Sequence, residues 1–255
     1  MDFPVVLREH RTRRKVSQLD LAARCGTTQR HLSFVESGRS APGRGLVIRL
    51  AESLDLPLRE RNELLLAAGY AAPYRETAWN DPALLHVRSA LEHILAGHLP
   101  YPAIIVDRYG DLVAANASFD VITEGAAAKL LGPGSNVYRL ALHPEGIAPR
   151  VLNLTAWGGH IVERLRQAAL RTTGPRTADL HAELLGYLAG HDRGDDATEE
   201  QLGFAVPLRL RSSRGELRLL TTVTTFATAV DVTLAELKLE AFLPADARTV
   251  ELLAP

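Results

Sequence analysis

The chain has 255 residues, 46% hydrophobic and 23% charged, a composition that can bury a core at a length that favours two domains. No apolar run approaches the roughly 18 residues of a membrane span, and the single cysteine, Cys25, excludes an internal disulfide or a site built on several thiolates. The net charge of −1 hides an asymmetry: residues 1–70 hold 12 Lys and Arg against 8 Asp and Glu, so a basic head precedes an acidic body and is the part expected to meet a polyanion.

In chain order, "MDFPVVLREH" has no basic segment followed by a long apolar one, so no secretory signal is expected and a cytoplasmic protein is. Phe3-Pro4 opens a helix, with Pro in the first turn where its missing N–H costs nothing. Ser17-Gln18 reads as a cap before a short helix carrying Leu19, Leu21 and Ala22, which Gly26 ends. Thr27 or Thr28 caps the next helix, which turns Leu32 and Val35 inward and stops before Gly38. Leu46, Val47 and Leu50 mark a fourth helix, and Leu64, Leu65 and Leu66 a fifth. Helix, tight Gly turn, then a helix beginning Thr-Gln-Arg is the pattern of a helix-turn-helix unit. The second helix of such a unit offers its N-terminal side chains to base edges in the major groove, where Gln pairs with adenine and Arg with guanine. A polar face over 28–33, with Thr28, Gln29, Arg30 and Ser33, has that reason to be exposed.

The loop-like "GYAAPYRETAWNDPALL" (69–85) ends the head. The expected division is a DNA-binding domain over 1–72, a linker and connecting helix over 73–100, and a second domain over 101–255. Asn80 or Asp81 caps the connecting helix, whose Leu84, Val87, Leu91, Ile94 and Leu95 form one stripe. Ala103–Val106 reads as a strand, "DRYGD" as a turn, "LVAA" as a second strand, and Asn116 as the cap of a helix holding Phe119, Val121 and Ile122. After "LGPGSN", Trp157, Ile161, Leu165 and Ala168 share one helical face, and Leu180, Leu184, Tyr187 and Leu188 another. The charged stretch "GHDRGDDATEEQ" (190–201) reads as an exposed loop. Beyond it the period becomes two: Phe204, Val206, Leu208 and Leu210, then Leu217, Leu219, Thr221 and Val223, make an antiparallel hairpin. Thr233-x-x-Glu236 reads as a capping box before a last strand, "LKLEAFL". The expected fold is therefore an all-α five-helix head followed by an α+β body with an antiparallel sheet.

The segment "QLDLAARCGTTQRHLSFVESGR", within about 17–56, resembles the DNA-binding domains of the lambdoid phage repressors, the Xre family. That likeness implies that Gln18 contacts phosphate and that Gln29, Arg30 and Ser33 read bases. It also implies that Arg39 and Arg44 hold the DNA backbone or enter the minor groove. Phe34 stands where many relatives carry a polar reader and could touch a thymine methyl. The strand, Asp-x-x-Gly turn, strand and Asn-led helix of 103–122 looks like the opening of a PAS-type sensor domain. Taken together, the head, "PYPAIIVDRYGDLVAANASF", "LHPEGIAPRVLNLTAW" and "DVTLAELKLEAFLPAD" resemble the MmyB-like transcription regulators over nearly the whole chain. The resemblance implies a PAS-like body whose pocket binds a fatty acid or a related small hydrophobic molecule.

A fatty acid needs an apolar channel and a few polar groups for its carboxylate. The available donors are Arg139, His143, Arg150 and Asn153, with Phe119 and Trp157 as channel walls and Asn116 offering an amide. Plainer roles compete: Asn116 as a cap, Trp157 as core, His143 before Pro144 as part of a turn. Catalysis is not expected. His160-Ile-Val-Glu163 lacks a third metal ligand, no HExxH pair or Gly-x-Ser-x-Gly elbow exists, and "GPGSN" lacks the Lys of a phosphate loop. No cofactor or metal is expected. The expected partners are a palindromic double-stranded DNA operator, a second copy of the chain in a homodimer, and the small ligand. The alternative is an antitoxin-like DNA binder whose body only dimerises or holds a protein partner; such a body would be solid, whereas a sensor needs a cavity.

Overall fold

Short-range capping sets the first helices. The Asp20 N–H donates to Ser17 Oγ (3.0 Å) at the start of α2 (Gln18–Arg24), and the His31 N–H donates to Thr28 Oγ1 (3.1 Å) at the start of α3 (Gln29–Glu36). Between them Gly26 takes φ +62°, a left-handed conformation that L side chains resist. With α1 (Phe3–Arg13), α4 (Arg44–Ser53) and α5 (Leu58–Ala67) these complete the five-helix head. Leu7, Leu21, Leu32, Val35 and Leu50 are all fully buried in its core, which is the inward set that the sequence pattern implies.

The computed structural model describes residues 2–171, 175–189 and 205–254, and the chain divides into two units, residues 1–79 with 227–235 and residues 80–226 with 236–255. In the first unit the chain after α5 is pinned by Asn62, whose Nδ2 donates to Tyr74 O (2.7 Å). The segment 227–235 joins it there: the Thr77 hydroxyl and N–H donate to Asp231 Oδ2 (2.6 and 3.2 Å), and the Val232 N–H donates to Arg75 O (2.8 Å). Asp231 Oδ1 also accepts from the Thr233 N–H (2.9 Å) and so caps α11 (Val232–Glu236). The expected Thr233–Glu236 capping box is thus replaced by an Asp cap two residues earlier, because a carboxylate reaches the first-turn amides.

The second unit begins with a turn capped by Asp81, which accepts from the Ala83 N–H (2.8 Å), and with α6 (Leu85–Gly97). Leu84, Leu91 and Leu95 of the expected stripe are buried and Ile94 is exposed. A five-stranded antiparallel sheet follows, with strands β1 (Ala103–Val106), β2 (Leu112–Ala115), β3 (Leu208–Ser212), β4 (Gly215–Thr225) and β5 (Lys238–Pro244) in the order β2-β1-β5-β4-β3. Helices α7 (Asp120–Thr123), α8 (Val137–Leu142), α9 (Leu154–Arg171) and α10 (Pro175–Ala189) share its hydrophobic core, so the body is α+β. The unexpected element is α12 (Ala247–Leu253). Asp246 caps it by accepting from the Thr249 N–H (2.7 Å), and Leu253 buries itself in the core. The strand expected from Phe204 begins at Leu208; Phe204 and the loop 190–201 lie outside the described residues.

One buried group in the head carries a pH dependence. His10 is sealed in the core, its Nε2 has no partner among the described residues, and its Nδ1 lies 3.5 Å from Glu60 Oε2. Burial, with the charges of Arg14 and Arg13 adding to it, pushes its pKa from 6.5 down to about 4. The unfolded chain therefore takes up a proton near pH 6.5 that the folded head refuses, so head stability should fall as the pH drops from 6.5 toward 4. Glu60, pushed up by burial against the weaker pull of Arg14, works in the opposite sense. Denaturant titrations of His10→Gln should show a flatter slope in that window; an unchanged slope would rule the histidine out as its source.

Candidate functional site

Two regions gather the residues that chemistry can use. The first is the exposed end of α3. Thr28, Gln29, Arg30, Arg39 and Arg44 are exposed, and Ser33, Phe34 and Gln18 are half-buried. Phe34 has a role the sequence did not suggest. The guanidinium carbons of Arg30 and Arg39 lie 5.5 and 5.9 Å from its ring centroid, so one aromatic platform braces two cations. Gln18 gives one amide hydrogen to Glu36 Oε2 (2.8 Å), which ties the start of α2 to the end of α3. Glu36 also receives Arg11 through Nε (2.6 Å) and Nη2 (2.9 Å), while its carbonyl accepts from Arg8 Nη2 (2.7 Å).

The second region is a cavity of about 290 Å³ between the sheet and the helices α8 and α9. Its apolar wall includes Ile104, Phe119, Leu140, Trp157, Ile161 and Phe242, and the rings of Phe119 and Phe242 lie 6.3 Å apart. Its polar lining comes from Tyr138, His160, Arg164, Thr221 and Glu240. Arg164 Nη2 donates to Glu240 Oε1 at 3.1 Å; the glutamate side chain is 6% exposed and the arginine 49%. Burial pushes the Tyr138 phenol up to about 12, with the charge of Glu240 adding to the rise. Tyr138 packs against the turn between β1 and β2, where Gly110 at φ +83° leaves the room: a Cβ there would stand 2.3 Å from the ring.

Of the expected ligand residues, Phe119 and Trp157 line this cavity. The polar ones are committed elsewhere. Arg139 forms a bidentate pair with Glu183 (2.8 and 2.7 Å). His143 Nδ1 accepts from the Glu145 N–H (3.0 Å), and its ring meets Tyr187 edge-on. Arg150 donates to the carbonyls of Val121, Ile122, Glu124 and Arg211. Asn153 bridges Pro207 O (2.8 Å) and the Arg209 N–H (3.1 Å). Asn116 does not cap the turn after it; its Nδ2 donates to Leu95 O (3.1 Å) and Tyr101 O (2.9 Å), joining the end of α6 to β1. Apart from the Arg139–Glu183 pair, these are backbone-holding roles, fixed by carbonyls and amides that burial would otherwise leave unpaired. The missed residues are Arg164 and Glu240, and one signal was readable: Glu240 interrupts an otherwise apolar stretch of β5.

Among the described residues no three His, Cys, Asp or Glu side chains gather as a metal ion requires, and no helix is long and apolar enough to cross a membrane. The family model of the MmyB-like transcription regulator ligand-binding domain matches residues 87–254, and a helix-turn-helix model matches residues 7–61. An uncharacterized HTH-type transcriptional regulator of Sinorhizobium fredii (y4dL) is 44% identical over 52 residues, 20% of this chain and 26% of that protein. The chain therefore spans about a quarter of that relative's length. A solved structure of an RNA-binding light-oxygen-voltage receptor is similar with a TM-score of 0.28 and 16% identity, over 98% of this chain and 60% of that one.

Proposed function

The chain belongs to the MmyB-like transcription regulators, with a helix-turn-helix DNA-binding domain and a ligand-binding domain, and on that premise we propose that a small hydrophobic molecule with one polar end governs its hold on DNA. Fatty acids belong to that chemical class. The observation that carries the reading is the cavity of about 290 Å³, with mostly apolar walls and a few polar side chains, the Arg164–Glu240 pair among them. A body that only dimerised would have no use for it. The antiparallel order β2-β1-β5-β4-β3 supports a PAS-type body. In this reading the protein is a cytoplasmic binding protein, neither an enzyme nor the holder of a cofactor.

On DNA, Gln29, Arg30 and Ser33 read bases from the exposed end of α3, and Arg39 and Arg44 hold the backbone. A single head makes few base contacts, so a homodimer on a palindromic operator, with half-sites roughly 34 Å apart, is the working state. Ligand can change DNA affinity only by preferring one of two states, so the two units need a link. Besides the passage from Trp79 to Asn80, the chain has a second covalent one: β4 and β5, which bring Thr221, Glu240 and Phe242 to the cavity, are joined through the segment 227–235 that belongs to the head unit.

The test begins with DNA selected from a random pool by the purified protein. Gln29→Ala should lose about 1–3 kcal/mol of affinity for that site and relax its specificity, while Arg44→Ala should weaken all DNA and lower the salt slope by about 1. Fluorescence anisotropy at several salt concentrations reads both. Unchanged operator affinity for Gln29→Ala would show that α3 does not read the bases.

A further inference from the structure

The polar end of the cavity selects a head group, and its charges are already balanced. Glu240 sits on the central strand β5, paired in register with Ile104 on β1 and Val223 on β4, and Phe242 follows it on the same face. Four charged groups act on one another there. Lys238, two residues before Glu240 on that face, has its amine pushed down first by burial, while Glu240 and Asp107 pull it up and Arg164 pushes it further down. Asp107 is raised chiefly by burial, yet its Oδ1 accepts from the backbone N–H groups of Tyr109 and Asp111 (2.8 Å each), bonds that hold the charged form. Of these four, Arg164 and Glu240 line the cavity, and as one ion pair at 3.1 Å their charges already balance.

Its hydrogen bonding is incomplete. Glu240 Oε1 accepts from Arg164, whereas Oε2 accepts nothing among the described residues. The Tyr138 hydroxyl makes no hydrogen bond among them either, and both residues line the cavity. A ligand carboxylate placed here would add a second negative charge beside the buried Glu240 and would compete with it for Arg164. A hydroxyl would instead donate to Glu240 Oε2 and accept from the tyrosine. We propose that the ligand of this cavity carries an uncharged, hydrogen-bond-donating head group, an alcohol or phenol on a short hydrophobic body, anchored by Glu240 and Tyr138. The size agrees: about 290 Å³ lies at the lower end of ligand pockets, which suits a short chain or a compact ring.

The proposal rests on the reading of the cavity as a site for small hydrophobic molecules, and two probes with the same tail separate the failures of the two. 1-Octanol and octanoate are titrated into the full-length protein, with calorimetry and the fluorescence of Trp157 as readouts. Octanol should bind about tenfold more tightly than octanoate. Glu240→Gln removes the buried negative charge, so octanol should weaken by about tenfold while octanoate strengthens, reversing the order. Tighter binding of octanoate to the unaltered protein would overturn the neutral head group and leave the hydrophobic site standing. Binding of neither probe would overturn the hydrophobic site itself. An unchanged ratio in Glu240→Gln would remove Glu240 as the anchor. If that variant does not fold, Tyr138→Phe serves: the ratio should drop several-fold toward octanoate, and an unchanged ratio would overturn the proposal.

Discussion

Arg150→Ala should destabilise the C-terminal unit by about 3 kcal/mol, a loss of structure and not of a ligand contact. The guanidinium reaches four backbone carbonyls. Nη1 donates to Ile122 O (2.9 Å) and to Glu124 O, Nη2 to Val121 O (3.0 Å), and Nε to Arg211 O (2.8 Å). Three of those carbonyls end the four-residue helix α7, which is too short to satisfy them itself. The fourth belongs to β3, so one side chain fastens a frayed helix end to a sheet edge. The side chain is 18% exposed, which limits how well water could replace it. Charged donors to carbonyls are worth more than neutral ones, and removal leaves several acceptors poorly solvated. Arg150→Lys should recover less than half of the loss, since a single ammonium cannot span the same four oxygens. Urea titration measures both. A loss under about 1 kcal/mol, accompanied by loss of probe binding, would return Arg150 to the ligand site.

That case shows which parts of the molecule the sequence could disclose. Caps and tight turns act over three or four residues, so Ser17, Thr28 and Gly26 announced the head's helices without help from the fold. Period-two patterning likewise marks β3 and β4, because alternation is a property of one strand. By their chemistry Arg150 and Asn153 read as ligand donors, but their partners are carbonyls and amides brought near by long-range packing. Val121 and Arg211 are distant in sequence from Arg150, and nothing in a local pattern says that their oxygens need a donor. Arg164 and Glu240 were missed for the converse reason. Arg164 reads as the polar side of α9, and only the pairing of β5 between β1 and β4 turns Glu240 toward the cavity. The helix α12 was missed although Asp246 stands three residues before Thr249, a local cap that was legible.

The larger loss is expected at Glu36→Ala, about 3–5 kcal/mol from the head, because the carboxylate is buried and its partners would stay behind. A negative charge at the C-terminal end of α3 is unfavourable to the helix dipole, so its place there must be maintained by other contacts. Those contacts are the fork of Arg11 from α1 (2.6 and 2.9 Å) and the amide of Gln18 from α2 (2.8 Å). One residue thereby fixes three helices, including the one that would enter the groove. Burial alone would push the Glu36 carboxyl up, but the bonds from Arg11 and Gln18, with the charges of Arg11 and Arg8, outweigh it and hold the group below its ordinary 4.5. A carboxyl so lowered contributes stability that is complete above 4.5 and lost as the pH falls through its folded value. Stability and positioning can be separated. Exchanging both partners for apolar residues, Glu36→Leu with Arg11→Met, should restore most of the stability, since no buried charge is left unpaired. It should also remove the part of acid unfolding below pH 4.5 that Glu36 supplies. Operator affinity should remain low in the double variant, because Gln18 has lost the carboxylate that aligns α2 with α3. If affinity returned together with stability, Glu36 would hold the head together without setting the angle of its reading helix.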